Sequence, residues 1–474
     1  MQRVNGHLRT VLAGLALVSA VSVSAQAEVR LPKIFSSHMV LQRDVKLPVW
    51  GWADPGEKVQ VSLGDQTAEA TADDDGKWKV SLPAQKAGGP HEITVKGSKS
   101  EPIGLTDILV GEVWLCSGQS NMAWSVSRSN NPKEEIAAAN YPKIRLFNVP
   151  RRPSATPIDD IEAKWEVCSP KTIPNFTAVG YFFGRHLHKE LDVPIGLISS
   201  SWGGTRIEPW TPVVGFEAVE KTQPIAKKVQ DRDPKGKYSH QDPTMLYNGM
   251  IKGFVPFALQ GAIWYQGESN HREGALYRDK MEALIKGWRE VFHNSEMPFL
   301  FVQLAPYQYG TEDPTILAKA WEAQTESLKI PHTGMAVTTD IANLKDIHPK
   351  NKQDVGKRLA LWALATTYGQ DDLVYSGPLY KSSKVEDGKI RVMFDHVGSG
   401  LASRDGEELT WFQIAGEDGG FVDAQAKIDG DTVVVWSDEV KAPKSVRFGF
   451  HKLAEPNLMN KDGLPASPFR TDSD

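Results

Sequence analysis

Val113-Trp-Leu-Cys-Ser-Gly-Gln-Ser-Asn-Met122 decides how this chain is read. Its apolar start reads as a buried strand, and the run stops abruptly at Gly118-Gln119-Ser120. In open α/β sheets the ligand crevice lies at the carboxyl ends of the strands. A serine placed there can aim both its hydroxyl and its backbone N–H into that crevice. Taken alone, Ser120 reads better as a helix N-cap, a position serine favours.

Three further apolar runs end in the same way. Val193 to Ser199 leads into Ser200-Ser-Trp-Gly-Gly-Thr205, where paired glycines let a backbone N–H approach a ligand with no Cβ in the way. Ala258 to Tyr265 delivers Gln266-Gly-Glu-Ser-Asn270, and Gly334 to Thr339 leads to Asp340 and then Asp346-Ile-His-Pro349. Acyl transfer by serine needs a nucleophile, an imidazole base, a carboxylate that fixes the imidazole, and donors for the oxyanion. All four stand at expected strand ends, and it is this company that outweighs the cap reading of Ser120.

Between these strands lie segments with helical spacing: Ala178 to Leu187, Leu276 to Phe292 with Met281, Leu284, Ile285 and Trp288 on one face, and Val355 to Ala365. Strands alternating with helices predict a mainly parallel sheet covered on both faces. On either side the period becomes that of β-structure. Lys58-Val-Gln-Val-Ser62 and Lys77-Trp-Lys-Val-Ser81 are separated by tight-turn sequences, and Lys389 to Phe394, Thr432 to Trp436 and Ser445 to Phe450 repeat the pattern near the end. The expected fold class is therefore α/β, with a flavodoxin-like three-layer parallel-sheet unit over residues 107–370. Accessory β-sandwich units are expected at 28–106 and 371–474.

Residues 1–27 read as a cleavable signal peptide. Arg3 and Arg9 precede the apolar run Val11 to Val18, and Ala25-Gln-Ala27 has the small-x-small form of a processing site. Secretion or a periplasmic location is expected, with no membrane contact after cleavage. With 474 residues and 40% hydrophobic content the chain can build more than one core. A net charge of −5 gives no reason to expect a nucleic-acid partner. The two cysteines, Cys116 and Cys168, would pair only if their Cα atoms approach; the preferred reading makes Cys116 a buried residue beneath the Ser120 turn. Neither cysteines nor histidines have zinc-like spacing, so no cofactor or metal is expected. The sequence sets no oligomeric state.

Trp114-Leu-Cys-Ser-Gly-Gln-Ser-Asn-Met122, Ser201-Trp-Gly-Gly-Thr205, Leu246-Tyr-Asn-Gly-Met-Ile251, Trp264-Tyr-Gln-Gly-Glu-Ser-Asn270 and Asp346-Ile-His-Pro-Lys-Asn-Lys352 together resemble the signature blocks of the sialate O-acetylesterase family, within the SGNH hydrolase superfamily. The resemblance covers most of the chain after the leader, including Pro465 to Arg470. It implies Ser120 as nucleophile and His348 as general base. It also implies an oxyanion hole made by the N–H of Ser120, a glycine N–H from Gly204 or Gly203, and the side-chain amide of Gln266. Two departures from the superfamily pattern stand out. Gln266 occupies the place of the usual asparagine, offering the same amide on a longer arm, and Asp346-Ile-His348 is one residue shorter than the usual spacing. Asp346 is the first choice to orient His348, with Asp340 and Glu268 as rivals.

The implied substrate is an acetylated sugar. Sialic acid comes first by resemblance, with acetylated xylan or xyloglucan as alternatives and a catalytically silent carbohydrate-binding protein as a reading from another class. A lipase or thioesterase is disfavoured because no long apolar lid is evident. Arg206 can pair with a sialic acid carboxylate or with its neighbour Glu208. Trp210 and Trp264, with Trp202 and Tyr265, can pack on a sugar ring or lie in the core.

Overall fold

The computed structural model describes Gln2, residues 28–233 and residues 235–472; the expected signal peptide lies outside these apart from Gln2. The protein is of mixed α/β class, with a central mixed sheet and several small antiparallel sheets.

Seven strands form the part of the central sheet that carries the site: β1 (Ile103–Gly118), β2 (Tyr141–Asn148), β3 (Trp165–Cys168), β4 (Ile195–Ser201), β5 (Gly261–Tyr265), β6 (Phe299–Val302) and β7 (Thr333–Ala336). Their order is β7-β6-β5-β1-β4-β2-β3, parallel throughout except for β3 at the edge. Successive side chains of β1 enter opposite cores, as the period of two requires. Val113 and Leu115 join the core of Tyr277, Met281, Leu284, Ile285 and Trp288, while Trp114 and Cys116 join that of Tyr181, Phe183, Leu359 and Ala363. Helices therefore cover both faces of the sheet, as the alternation predicts.

The helices that matter for the site are α1 (Ser120–Ala123), α2 (Ala178–Leu191), α3 (Leu276–Val291), α4 (Ile316–Glu326) and α5 (Lys352–Thr366). Thr177 caps α2 by accepting from the N–H of Gly180, and Asn351 caps α5 by accepting from the N–H of Asp354. The two helices approach closely at Gly356, where a Cβ would come within 2.7 Å of the Phe182 side chain. Loss of that glycine would push α5 off its seat.

The expected boundary at 106/107 falls inside β1. The first half of this 16-residue strand pairs with Val40–Gln42 and with Gly88–Gly97 of the N-terminal unit; its second half is the centre of the seven strands named above. Toward the other end, two four-stranded antiparallel sheets, built from Leu379 to Trp436 and from Phe412 to Arg470, enclose a shared core of Ile390, Val392, Ile414, Val433, Val446 and Phe448. Arg470 ties this unit to α4 through the Glu322 carboxylate at 2.9 Å. Cys116 and Cys168 are both buried and unpaired with each other.

Candidate active site

Register brings three strand ends level. Gly118 at the end of β1 lies opposite both Ser201 of β4 and Tyr265 of β5. The backbone then turns at Gly118, whose φ of 143° and a Tyr265 carbonyl 2.1 Å from any added Cβ leave room for glycine alone. The Gln119 N–H donates to that carbonyl, and the Trp202 N–H donates to Gly118. Ser120 emerges at the first position of α1, with the Gly203-Gly204 turn against it. A Cβ on Gly203 would stand 3.2 Å from the Ser120 Cβ, and Gly204 has a φ of 76°. Gln241 holds that turn by donating to the Gly204 carbonyl and accepting from the Arg206 N–H.

The loop between β7 and α5 supplies the imidazole. His348 Nε2 lies 2.9 Å from Ser120 Oγ, and His348 Nδ1 lies 3.3 Å from Asp346 Oδ1. Asp346 Oδ1 also accepts from the His348 N–H at 3.0 Å, which fixes the loop against its own side chain. Of the rival carboxylates, Asp340 is held by two bonds from Arg358 at 2.7 and 2.6 Å, and Glu268 accepts from Asn121. Asp346 is thus the one of the three that meets the imidazole. The ring of Trp124, which the sequence reading passed over, stacks on His348 with centroids 5.0 Å apart. Burial, chiefly, and the charges of Lys352 and Arg128 push His348 below its ordinary value, against the pull of Asp346. A neutral imidazole near pH 7 is the form able to accept a proton.

Three expectations are corrected. Gln266 is fully buried, and both hydrogens of its amide are taken, one by the Thr205 carbonyl at 3.1 Å and one by Asn270 Oδ1 at 2.7 Å. Its Oε1 accepts from Tyr277, so the side chain has no donor left for an oxyanion. Arg206 is committed to Glu208 and Glu273, with a further bond to the Ser269 carbonyl, so the ion pair within the chain replaces a ligand carboxylate. Trp210 and Trp264 are core residues, 0% and 1% exposed, packed edge to face. The indole of Trp202 remains partly open and stacks on His240 at 4.6 Å. A linear pattern locates strand ends but not the partners that distant segments bring to them, and Gln266, Arg206 and Trp264 all turn inward to such partners.

Residues 110–365 match the family described as carbohydrate esterase, sialic acid-specific acetylesterase. The chain belongs to this family. Among curated proteins, it is 33% identical to the sialate O-acetylesterase of Mus musculus over 80% of this chain and 82% of that protein. The Homo sapiens protein of the same name is also 33% identical, over 77% of this chain and 76% of that one. Among solved structures, a carbohydrate acetylesterase from Xanthomonas citri superposes with a TM-score of 0.87 at 41% identity, covering 94% of this chain and all of the other. Membership in this carbohydrate esterase family makes the protein an ester hydrolase.

Proposed function

We propose that this acetylesterase family member is an exported carbohydrate O-acetylesterase of the SGNH type, working through a serine acyl-enzyme. The observation that carries this reading is the contact of Ser120 Oγ with His348 Nε2 at 2.9 Å, backed by Asp346 at 3.3 Å. Ser120 Oγ attacks the acetyl carbonyl as His348 takes its proton, and the imidazolium then protonates the departing sugar oxygen. Water clears the acetyl group with His348 again as base. The backbone N–H groups of Ser120 and Gly204, which have no acceptor among the described residues, serve the oxyanion. Export rests on the leader pattern of residues 1–27.

Sialic acid carrying a 9-O-acetyl group is the first substrate, supported by the names of the curated relatives. With Arg206 committed elsewhere, Arg128 is the cation we assign to a sialate carboxylate. It is exposed, has no carboxylate partner among the described residues and lies 3.7 Å over the Trp124 ring that stacks on His348. A neutral acetylated polysaccharide, xylan or xyloglucan, is the second reading, favoured by the loss of Arg206 as a carboxylate ligand.

Acetate release from 9-O-acetylated sialic acid, acetylated xylan, acetylated xyloglucan and a long-chain ester tests both readings, with Ser120→Ala and Arg128→Ala alongside. No acetate from any sugar overturns the esterase reading, and activity retained in Ser120→Ala overturns the nucleophile. A raised KM for the sialate in Arg128→Ala supports the first substrate. Turnover confined to xylan or xyloglucan selects the second.

A further inference from the structure

Behind the Ser120 turn lie two ionisable groups that acyl transfer does not use. Lys352, the first residue of α5, is fully buried. An ammonium there suffers twice: burial removes its water, and the first turn of a helix carries the positive end of the macrodipole. Burial pushes Lys352 down to about 7, against the pull of Glu268 and Asp346. Glu268 is also buried, is pushed up by desolvation, and leaves its Oε2 with no hydrogen-bond partner among the described residues.

One side chain joins these groups to the reacting pair. Lys352 Nζ donates to Asn121 Oδ1 at 2.5 Å and lies over the Tyr265 ring at 5.0 Å. Asn121 Nδ2 donates to Glu268 Oε1 at 2.5 Å and to the Ile347 carbonyl at 3.0 Å. Asn121 is the residue after Ser120, and Ile347 is the residue before His348. Four segments therefore meet at one amide whose donors and acceptor are all engaged: the Ser120 turn, the start of α5, the turn after β5 and the histidine loop.

We propose that Lys352 is a positioning residue for the Ser120–His348 pair: through Asn121 it clamps the nucleophile turn to the histidine loop, and it sets a positive charge 5.9 Å from the Trp124 ring that stacks on the imidazole. This rests on the serine-esterase reading above. The charged and titratable groups around the array act in stated directions. Glu268 and Asp346 favour the ammonium, Lys352 and Arg128 favour neutral His348 while Asp346 opposes them, and His271 favours the Glu268 anion. The phenols of Tyr265 and Tyr309, both near Glu268, are held well above their ordinary range by burial. A purely structural lysine would account for the hydrogen bonds but would have no effect on where His348 titrates.

Lys352→Met and Lys352→Arg in the full chain separate the two roles. Removing the charge lets His348 keep its proton to higher pH, so the acid limb of kcat/KM should move up by about half a pH unit in Lys352→Met. The same variant should lose about tenfold in kcat with KM within about twofold, the pattern of a misplaced acid–base pair. Lys352→Arg, which keeps the charge, should return the limb toward the wild-type position. A limb that does not move in folded Lys352→Met, or a kcat within about twofold of wild type, overturns the proposal. If Lys352→Met does not fold, Asn121→Ser cuts the clamp at a small loss of volume, and a wild-type kcat there overturns it equally. NMR titration of His348 in Ser120→Ala, with and without Lys352→Met, reads the charge coupling without turnover. Absence of acetate release by the wild type therefore fails the esterase reading alone, whereas an unshifted imidazole fails this one.

Discussion

Two buried polar networks flank the turn after β5, and they are built on opposite plans. In one, Glu208 and Glu273 face Arg206 and Lys280, with Lys280 Nζ 2.7 Å from Glu208 and 2.8 Å from Glu273. Asn270 donates to both carboxylates, accepts from Gln266, and is fully engaged. In the other, Lys352 and Glu268 are held apart by the Asn121 amide, and one Glu268 oxygen is left over. Their titration differs accordingly. Hydrogen bonding and charge from Arg206 and Lys280 overcome burial and pull Glu208 down to about 2, whereas burial wins at Glu268 and pushes it up. The saturated network lies away from Ser120, whereas the one left short of partners is tied through Asn121 to the Ser120 turn and the histidine loop.

The largest effect should come from breaking the saturated side. Glu208→Gln takes one of two shared carboxylates from buried Lys280 and half-buried Arg206, leaving them Glu273 alone, and should cost about 3 kcal/mol of stability, measured by urea unfolding, with kcat little changed in the folded protein. The pH dependence has a definite sign. Because Glu208 is depressed when folded, its contribution is present above pH 4.5 and is lost as pH falls through about 2. Wild-type unfolding midpoints should decline over that window, and Glu208→Gln should flatten the decline. A variant as stable as wild type would erase the distinction between the networks.

Next in size is the carboxylate pair on the histidine loop. Asp346→Asn should lower kcat by about 100-fold at unchanged fold, because the imidazolium loses its partner. Asp340→Asn should instead lower the melting temperature while sparing the kcat of the folded fraction, since Asp340 serves Arg358. Steady-state kinetics beside thermal melts would expose an exchange of these two phenotypes. The smallest effect belongs to the unsaturated side: Glu268→Gln keeps the shape and an acceptor for Asn121, and should change unfolding stability by less than about 1 kcal/mol.

How far the sequence could be read follows from the same contrast. Ser120 and the paired glycines were legible because each closely follows an apolar run, and His348 because it lies in the loop after another; parallel strands bring such ends to one edge. Asp346 was legible as a candidate but not separable from Asp340, since the choice is made by Arg358, 18 residues further along, which donates to the Asp340 carboxylate. Gln266 misled because its partners, Thr205 and Tyr277, arrive from either side in the chain. Lys352 closes one of the signature blocks, but a lysine in Lys350-Asn-Lys352 reads as a solvated face, and nothing in the linear pattern announces that its side chain is fully buried. The boundary at 106/107 was misplaced for a related reason, because a strand that serves two sheets changes neighbours without changing its own pattern.

That shared strand has a mechanical consequence. Where two units are joined by a loop, each can swivel; here Ile103–Gly118 passes from one to the other as one strand, and its single left-handed non-glycine residue, Asp107 with a φ of 56°, is pinned by Arg145. The N-terminal unit is thereby denied a hinge, and its outer surface keeps a constant bearing and distance from Ser120.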